Sequence, residues 1–217
     1  MENNFNATLL KWAAILMLSG GVLFWIGAFT PPWRQWMTSD TKEYLAIIHD
    51  NQLGWFLIHS PMVVGVILTV FSLQLLSSAT PFSGTGKLFS DIGANAFFFG
   101  SILLVLNFAF RLTVTLWVAD QFAKTNEVQP WFNTWFDWSN LIFAIHCVLA
   151  YAAVGFMGLA LRYLSVLPSW TTWFCIIYGF AGSIGFIVRF PLFVAPLMIH
   201  LPFMICGVAL LIKLKTR

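Results

Sequence analysis

Six stretches of about 20 apolar residues, separated by short polar segments, dominate this chain of 217 residues. The hydrocarbon core of a bilayer is about 30 Å thick, and an α-helix needs about 20 residues to cross it. We therefore predict an all-α integral membrane protein, a six-helix bundle that forms one polytopic domain over residues 1–217. The predicted spans are residues 10–29, 55–76, 94–119, 138–161, 170–190 and 196–214.

Composition excludes the other broad classes. Charged residues make up 9% of the chain and hydrophobic residues 59%, whereas a soluble domain is about 25% charged. A soluble globular protein, a disordered chain and a coiled coil are therefore excluded. The net charge of +3 is too small and too scattered for binding of nucleic acid, which requires a clustered basic surface.

Basic residues are distributed unequally between the two sets of predicted loops and ends. One set contains Lys11, Lys87, Arg162, Lys213, Lys215 and Arg217, and the other contains Arg34, Lys42 and Lys124. Cytoplasmic segments of membrane proteins carry the excess of Lys and Arg. We therefore predict that both termini are cytoplasmic, in a chain that resides in the cytoplasmic (plasma) membrane.

The predicted outer segments are rich in tryptophan. The residues concerned are Trp33, Trp36, Trp55, Trp117, Trp131, Trp135 and Trp138. Tryptophan is enriched where a membrane meets water, so the simpler interpretation is an interfacial belt. In the alternative interpretation, some of these rings form the wall of an outward-facing pocket.

Two short patterns recur among the spans. An Ile-His pair occurs in the second, fourth and sixth spans, at His59, His146 and His200, and a Phe-x-x-Arg pattern ends at Arg111 and Arg189 in the third and fifth. The recurrence suggests a weak internal repeat of three helical hairpins. Internal repeats of membrane proteins tend to place a binding site at their shared interface.

The same five residues are the candidate site. From their positions along the spans, all five are predicted to lie in one layer of the outer leaflet. Asp, Glu and Lys are not found clearly within any predicted span. Ionisable side chains inside a membrane are costly, usually face the bundle interior and commonly mark a functional site.

Haem b is the first functional hypothesis for this layer. Neutral imidazole is a standard axial ligand of haem iron, and His59, His146 and His200 provide three candidates. Arg111 and Arg189 would face the anionic propionates, and the 23 Phe and 11 Trp residues could line a large flat ligand. Such a protein would have a b-type cytochrome-like role in electron transfer, or would handle haem.

Three alternatives remain open. The three histidines could form a copper, zinc or iron site, although two nearby arginines would oppose a dication. An outward pocket could bind an anionic lipid, a quinone or another small ligand, with the arginines on the anion. The chain could also be a structural subunit of a larger membrane complex.

Arg111 is the deepest cation of the predicted layer. Burying an unpaired guanidinium in a membrane costs at least about 2.5 kcal/mol. Asp120 follows on the same helix about 13 Å along the axis, too far for a direct pair. We therefore predict that Arg111 contacts either an anionic group of a bound ligand or Asp137 on the next span.

Glycines recur every three residues in the fifth span, at Gly179, Gly182 and Gly185. Small residues at this spacing let helix backbones approach closely in lipid. The pattern therefore predicts tight packing of this span against a neighbour.

Overall fold

The architecture is that of a computed structural model, which describes residues 6–30, 38, 40–80, 84–195 and 197–215. These residues form helices and no strand. The helices are α1 (Ala7–Phe29), α2 (Thr41–Asp50), α3 (Gln52–Ala79), α4 (Thr85–Phe110), α5 (Leu116–Thr125), α6 (Phe132–Tyr163), α7 (Ser169–Ile187), α8 (Pro191–Val194) and α9 (Leu197–Lys215). A π-helical turn, Arg111–Thr115, joins α4 to α5 without a break.

Six helices are long and apolar enough to cross a membrane: α1, α3, the continuous α4–α5 rod, α6, α7 and α9. The prediction of an all-helical membrane protein with six such helices is thus confirmed for the described residues. Helices of this kind place the chain in contact with bilayer lipid. The orientation of the termini and the hairpin repeat stay predictions.

Two of these helices are longer than a bilayer is thick. The α4–α5 rod has 41 residues, about 61 Å at 1.5 Å per residue, and α6 has 32 residues, about 48 Å. The rod continues past the predicted end at residue 119, and α6 begins before the predicted start at residue 138. Both extensions lie at the same end of the bundle, where they form a platform beyond the membrane-crossing part.

Helix α2 covers this platform, in a segment that lies between two predicted spans and was expected to be a loop. Asp40 caps the helix, since its carboxylate accepts a hydrogen bond from the backbone N–H of Lys42 at 2.8 Å. The buried face of α2 packs into a small apolar cluster with the rod, Trp55 and the start of α6. The cluster contains Tyr44, Leu45, Ile48, Trp55, Phe110, Val118, Ala119, Phe122 and Phe132.

The membrane-crossing helices pack as two halves. In the first half α1 packs along α3 and α9, and in the second half α6 packs along α4 and α7. Contacts of α3 with α4, and smaller contacts of α9 with α6 and α7, join the halves. We call the surface between them the seam. The first half lines it with Phe24, Trp55, His59 and His200, and the second half with Phe97, Phe108, Arg111 and His146.

The tryptophans at the platform end divide into two groups. Trp117, Trp131, Trp135 and Trp138 are 39–51% exposed, as an interfacial belt requires. Trp55 is fully buried and lies in the seam instead. Trp33 and Trp36 lie outside the described residues.

The close packing predicted from the glycine spacing is confirmed. A Cβ atom added at Gly179 would lie 2.7 Å from the carbonyl oxygen of Tyr151, and one at Gly182 would meet the Tyr151 ring. A Cβ atom at Gly185 would meet the ring of Phe193. The first two glycines thus hold α7 against α6, and the third holds it against α8.

A thiol pair offers a direct test of the seam. Cys175 on α7 and Cys206 on α9 belong to different halves, and their Sγ atoms are 3.2 Å apart. Mild oxidation with copper phenanthroline should join them, because a disulfide needs the sulfurs to approach by only about 1 Å more. We expect mass spectrometry of the oxidised protein to show one intramolecular Cys175–Cys206 bridge and an unmodified Cys147. Three free thiols after oxidation would contradict this arrangement of the halves.

Candidate functional site

Arg111 lies at the π-helical turn, where it is 6% exposed. Its guanidinium donates hydrogen bonds to three neutral oxygens: Nε to Asn107 Oδ1 at 2.9 Å, Nη1 to the Tyr44 hydroxyl at 3.1 Å, and Nη2 to Asn140 Oδ1 at 3.0 Å. The Phe136 ring adds a cation–π contact, with its centroid 5.6 Å from the guanidinium carbon. One side chain thereby ties together α2, the rod and α6.

Neighbouring side chains hold this arrangement in place. Asn107 donates to both the carbonyl and the hydroxyl oxygen of Ser139 at 2.7 Å, which fixes its amide so that Oδ1 faces Arg111. The indole N–H of Trp55 donates to the Arg111 carbonyl at 2.9 Å. A π-helical turn frees backbone carbonyls from the regular ladder and often occurs at functional sites. We call Tyr44, Asn107, Arg111, Ser139 and Asn140 the Arg111 network.

The Tyr44 hydroxyl is a neutral acceptor in this network. Burial raises the pKa of Tyr44 above its ordinary value, and the Arg111 cation opposes that rise only in part. Tyr44 therefore stays protonated at neutral pH, and its hydroxyl oxygen accepts the hydrogen bond from Arg111. A neutral phenol leaves the positive charge of Arg111 uncompensated by Tyr44.

The predicted Asp137 partner lies elsewhere. Asp137 is exposed on α6, and the ion pairs found between described residues are His49–Asp120 and Lys87–Asp91. The three side-chain hydrogen bonds described above for Arg111 go to neutral oxygens. Buried amides and a phenol can satisfy a guanidinium geometrically without adding a negative charge.

His59 lies beside the Arg111 network. Its Nδ1 is 2.8 Å from the Trp55 carbonyl, and because a carbonyl only accepts, Nδ1 carries the proton. The imidazole packs against the Trp55 ring at 4.3 Å and the edge of Phe108 at 5.2 Å between centroids. His59 is therefore held by its Nδ1–H at the level of Asn107 and Phe108.

His146 and His200 form a separate pair deeper in the seam. His200 stacks on Phe24 with centroids 4.0 Å apart. The Phe97 ring contacts both imidazoles, at 6.3 Å from His146 and 6.2 Å from His200. The two histidines come from different halves of the bundle and converge on one aromatic ring.

Nitrogen atoms of this pair lack hydrogen-bond partners within the described chain. Both ring nitrogens of His200 are in this state, and Nδ1 of His146 lies against the Gly100 turn of α4 without a hydrogen bond of good geometry. Both residues are at most 1% exposed. A buried polar atom without a hydrogen bond costs about 1–3 kcal/mol.

The five predicted site residues therefore occupy three places rather than one layer. Helices α4 and α6 run antiparallel, with Asn107 beside Ser139 and Gly100 beside His146. Seven residues separate the two levels on each helix, which is about 10 Å along the axis. His59 and Arg111 share the upper level, and His146 and His200 lie below it. Arg189 is exposed on the lipid-facing side of α6 and α7.

Metal ligation by all three histidines has no support in this arrangement. Among the residues that the structure describes, no group of three His, Cys, Asp or Glu side chains is placed to hold a metal ion.

Sequence reasoning missed most partners of Arg111. Asn107 lies in the middle of the third predicted span and Asn140 near the start of the fourth. Tyr44 lies in helix α2, which was not predicted. An amide in an otherwise apolar span was the available signal for the first two. For Tyr44 the signal was Asp40 followed by Glu43, which is similar to a helix-start pattern.

Comparisons with known proteins identify no relative of this chain. No family model, curated protein or solved structure matches the chain. Any assignment of function therefore rests on the residues themselves.

Proposed function

We propose that the seam binds haem b, which His146 from one half and His200 from the other would hold. The observation that carries this proposal is the fully buried imidazole of His200, whose two nitrogens lack partners among the described residues, next to a second buried histidine. Neutral imidazoles from facing helices are a standard ligand set for haem iron in helical bundles.

The surroundings of the pair suit a flat apolar ligand. Aromatic rings of Phe24, Phe97, Phe143 and Phe203 lie around the two histidines. The Arg111 network lies about 10 Å nearer the membrane surface, where a cation favours the anionic propionates. The same two features favour haem over a bare dication, which would require further charged or polar ligands.

Residues of this chain would hold and orient the haem. A bound haem b would supply one-electron transfer, as in a b-type cytochrome-like protein, or would be the cargo of a haem-handling protein. The stack with Phe24 fixes the plane of His200, and the surrounding phenylalanines exclude water from the pair. An apolar, water-excluding environment of this kind is one of the means by which a protein sets a redox potential.

Phe97 would control whether haem can enter the site. Its ring contacts both histidines, so a macrocycle held by the pair requires this side chain to move aside. The Phe97→Ala variant should therefore bind haem at least as fully as the wild type, and faster. This expectation distinguishes a site between the two histidines from one elsewhere in the seam.

The visible spectrum of protein purified in mild detergent, after titration with hemin, tests the proposal. We expect a Soret band and reducible α and β bands in the wild type and in His59→Ala. The bands should disappear in His146→Ala and in His200→Ala, at unchanged secondary structure by circular dichroism. A wild type whose spectrum after hemin titration matches that of hemin in detergent alone, or protein-bound bands that persist in both single variants, would overturn the assignment.

A further inference from the structure

A groove of about 580 Å³ runs over the lipid-facing surface where α6 and α7 diverge. Its walls are apolar side chains of both helices, among them Ile145, Val148, Leu149 and Phe186. Arg189 is the charged residue of its lining. A cation in an apolar groove that faces lipid is unusual, because such side chains are costly in hydrocarbon.

The groove exists because α7 stops early. The helix ends at Ile187 after 19 residues, whereas α6 has 32. The backbone N–H groups of Arg189 and Phe190 donate to the carbonyls of Phe186 and Gly185 at 3.1 and 2.7 Å. This pair of bonds is the Schellman motif, which ends a helix and turns the chain away. The face of α6 near Ile145 is left uncovered as a result.

Arginine is an unusual residue for this turn. Arg189 occupies the left-handed position of the motif with φ at 56°, a place that glycine normally fills because it has no Cβ. A larger residue there costs about 1–2 kcal/mol. The chain thus keeps a guanidinium at this point despite a conformational cost.

The guanidinium of Arg189 faces lipid rather than a protein partner. It makes no hydrogen bond or ion pair with any other described residue. Its neighbours Ile187, Val188 and Phe190 are 53–68% exposed, as lipid-facing apolar residues are. The positive charge of Arg189 is therefore available to bind an anionic group that is attached to an apolar chain.

The groove lies between the level of the tryptophan belt and the expected bilayer centre. Its α6 lining runs from Ala144 to Leu149, and Leu149 lies about 16 Å along the helix from the belt residue Trp138. Half of a bilayer core is about 15 Å thick. An acyl chain beside α6 would therefore extend towards the bilayer centre while its headgroup stays near the tryptophan level, within reach of Arg189.

We propose that this groove is a binding site for one anionic phospholipid, with its phosphate on Arg189 and an acyl chain along Ile145 and Val148. A guanidinium binds a phosphate through charge-assisted, bidentate hydrogen bonds. The site is separate from the histidine pair and does not depend on haem.

Native mass spectrometry of the full chain tests the site, with phosphatidylglycerol and phosphatidylcholine offered in equal amounts. We expect the wild type to retain one phosphatidylglycerol in preference to phosphatidylcholine. Arg189→Gln should lower that occupancy about tenfold, the loss expected from one charge-assisted contact. Ile145→Trp should lower it as well, because the indole fills the groove without changing the charge.

Two matched controls separate a built site from general attraction to headgroups. Lys124→Gln removes an exposed positive charge at the same end of the bundle, and Ile177→Trp adds the same bulk at an exposed position of α7 that does not line the groove. Both should bind phosphatidylglycerol as the wild type does. Equal retention of the two lipids by the wild type, or equal losses in Arg189→Gln and Lys124→Gln, would overturn the proposal.

Discussion

Replacing Arg111 with glutamine is expected to lower the free energy of unfolding by about 2–4 kcal/mol, since hydrogen bonds to a charged group contribute about 1.5–3 kcal/mol each and are not additive. The guanidinium serves acceptors on three different helical elements, Tyr44, Asn107 and Asn140. A glutamine amide cannot reach all three. Thermal melting in detergent micelles measures the effect, with Lys124→Gln as the control for loss of an exposed charge.

Three further variants identify the cause of that loss. Arg111→Lys should be almost as unstable as Arg111→Gln, because an ammonium lacks the planar fork that spans three acceptors. Tyr44→Phe should cost about 1.5–3 kcal/mol, as expected for one hydrogen bond to a charged group. Asp137→Asn should neither destabilise the wild type nor rescue Arg111→Gln. Rescue by Asp137→Asn would show that an ion pair, and not the neutral network, holds the guanidinium.

The sequence predicted the membrane class and the helices well because these follow from local properties. An apolar run of about 20 residues can satisfy its backbone in a bilayer only as a helix, and glycines at a three-residue spacing favour a close approach of helices. Arg111 was also identified as a buried cation, since a charge flanked by apolar residues within a span usually faces the bundle interior. None of these inferences requires knowledge of which helices are neighbours in the bundle.

The relative placement of the site residues could not be predicted in the same way. His146 lies 14 residues after the start of α6 at Phe132, whereas His59 lies seven residues after the start of α3 at Gln52, so the two histidines reach different levels. Arg111 and Arg189 share one Phe-x-x-Arg pattern, yet one is buried at a π-helical turn and the other is exposed past a helix end. A short pattern does not encode the rotation of a helix about its axis, which decides burial.

The position of α6 depends on how closely α7 packs against it within the second half of the bundle. Gly179 sets the approach of α7 to α6, the helix that also carries His146 and one wall of the lipid groove. A Cβ atom at Gly179 would lie 2.7 Å from both the Cα of Gly155 and the carbonyl oxygen of Tyr151. These are backbone atoms of α6, so rotation of a side chain cannot relieve the clash.

Replacing Gly179 with alanine should therefore cost about 3 kcal/mol or more, at the upper end of the range for overpacking. Ala181→Val is the matched control, since Ala181 is exposed on the same helix and also receives extra bulk; it should melt as the wild type does. Gly179→Ala should also lose phosphatidylglycerol from the groove, because α7 must move away from α6. No residue that lines the groove is changed in this variant. Equal melting of Gly179→Ala and Ala181→Val would show that α6 and α7 are not in backbone contact.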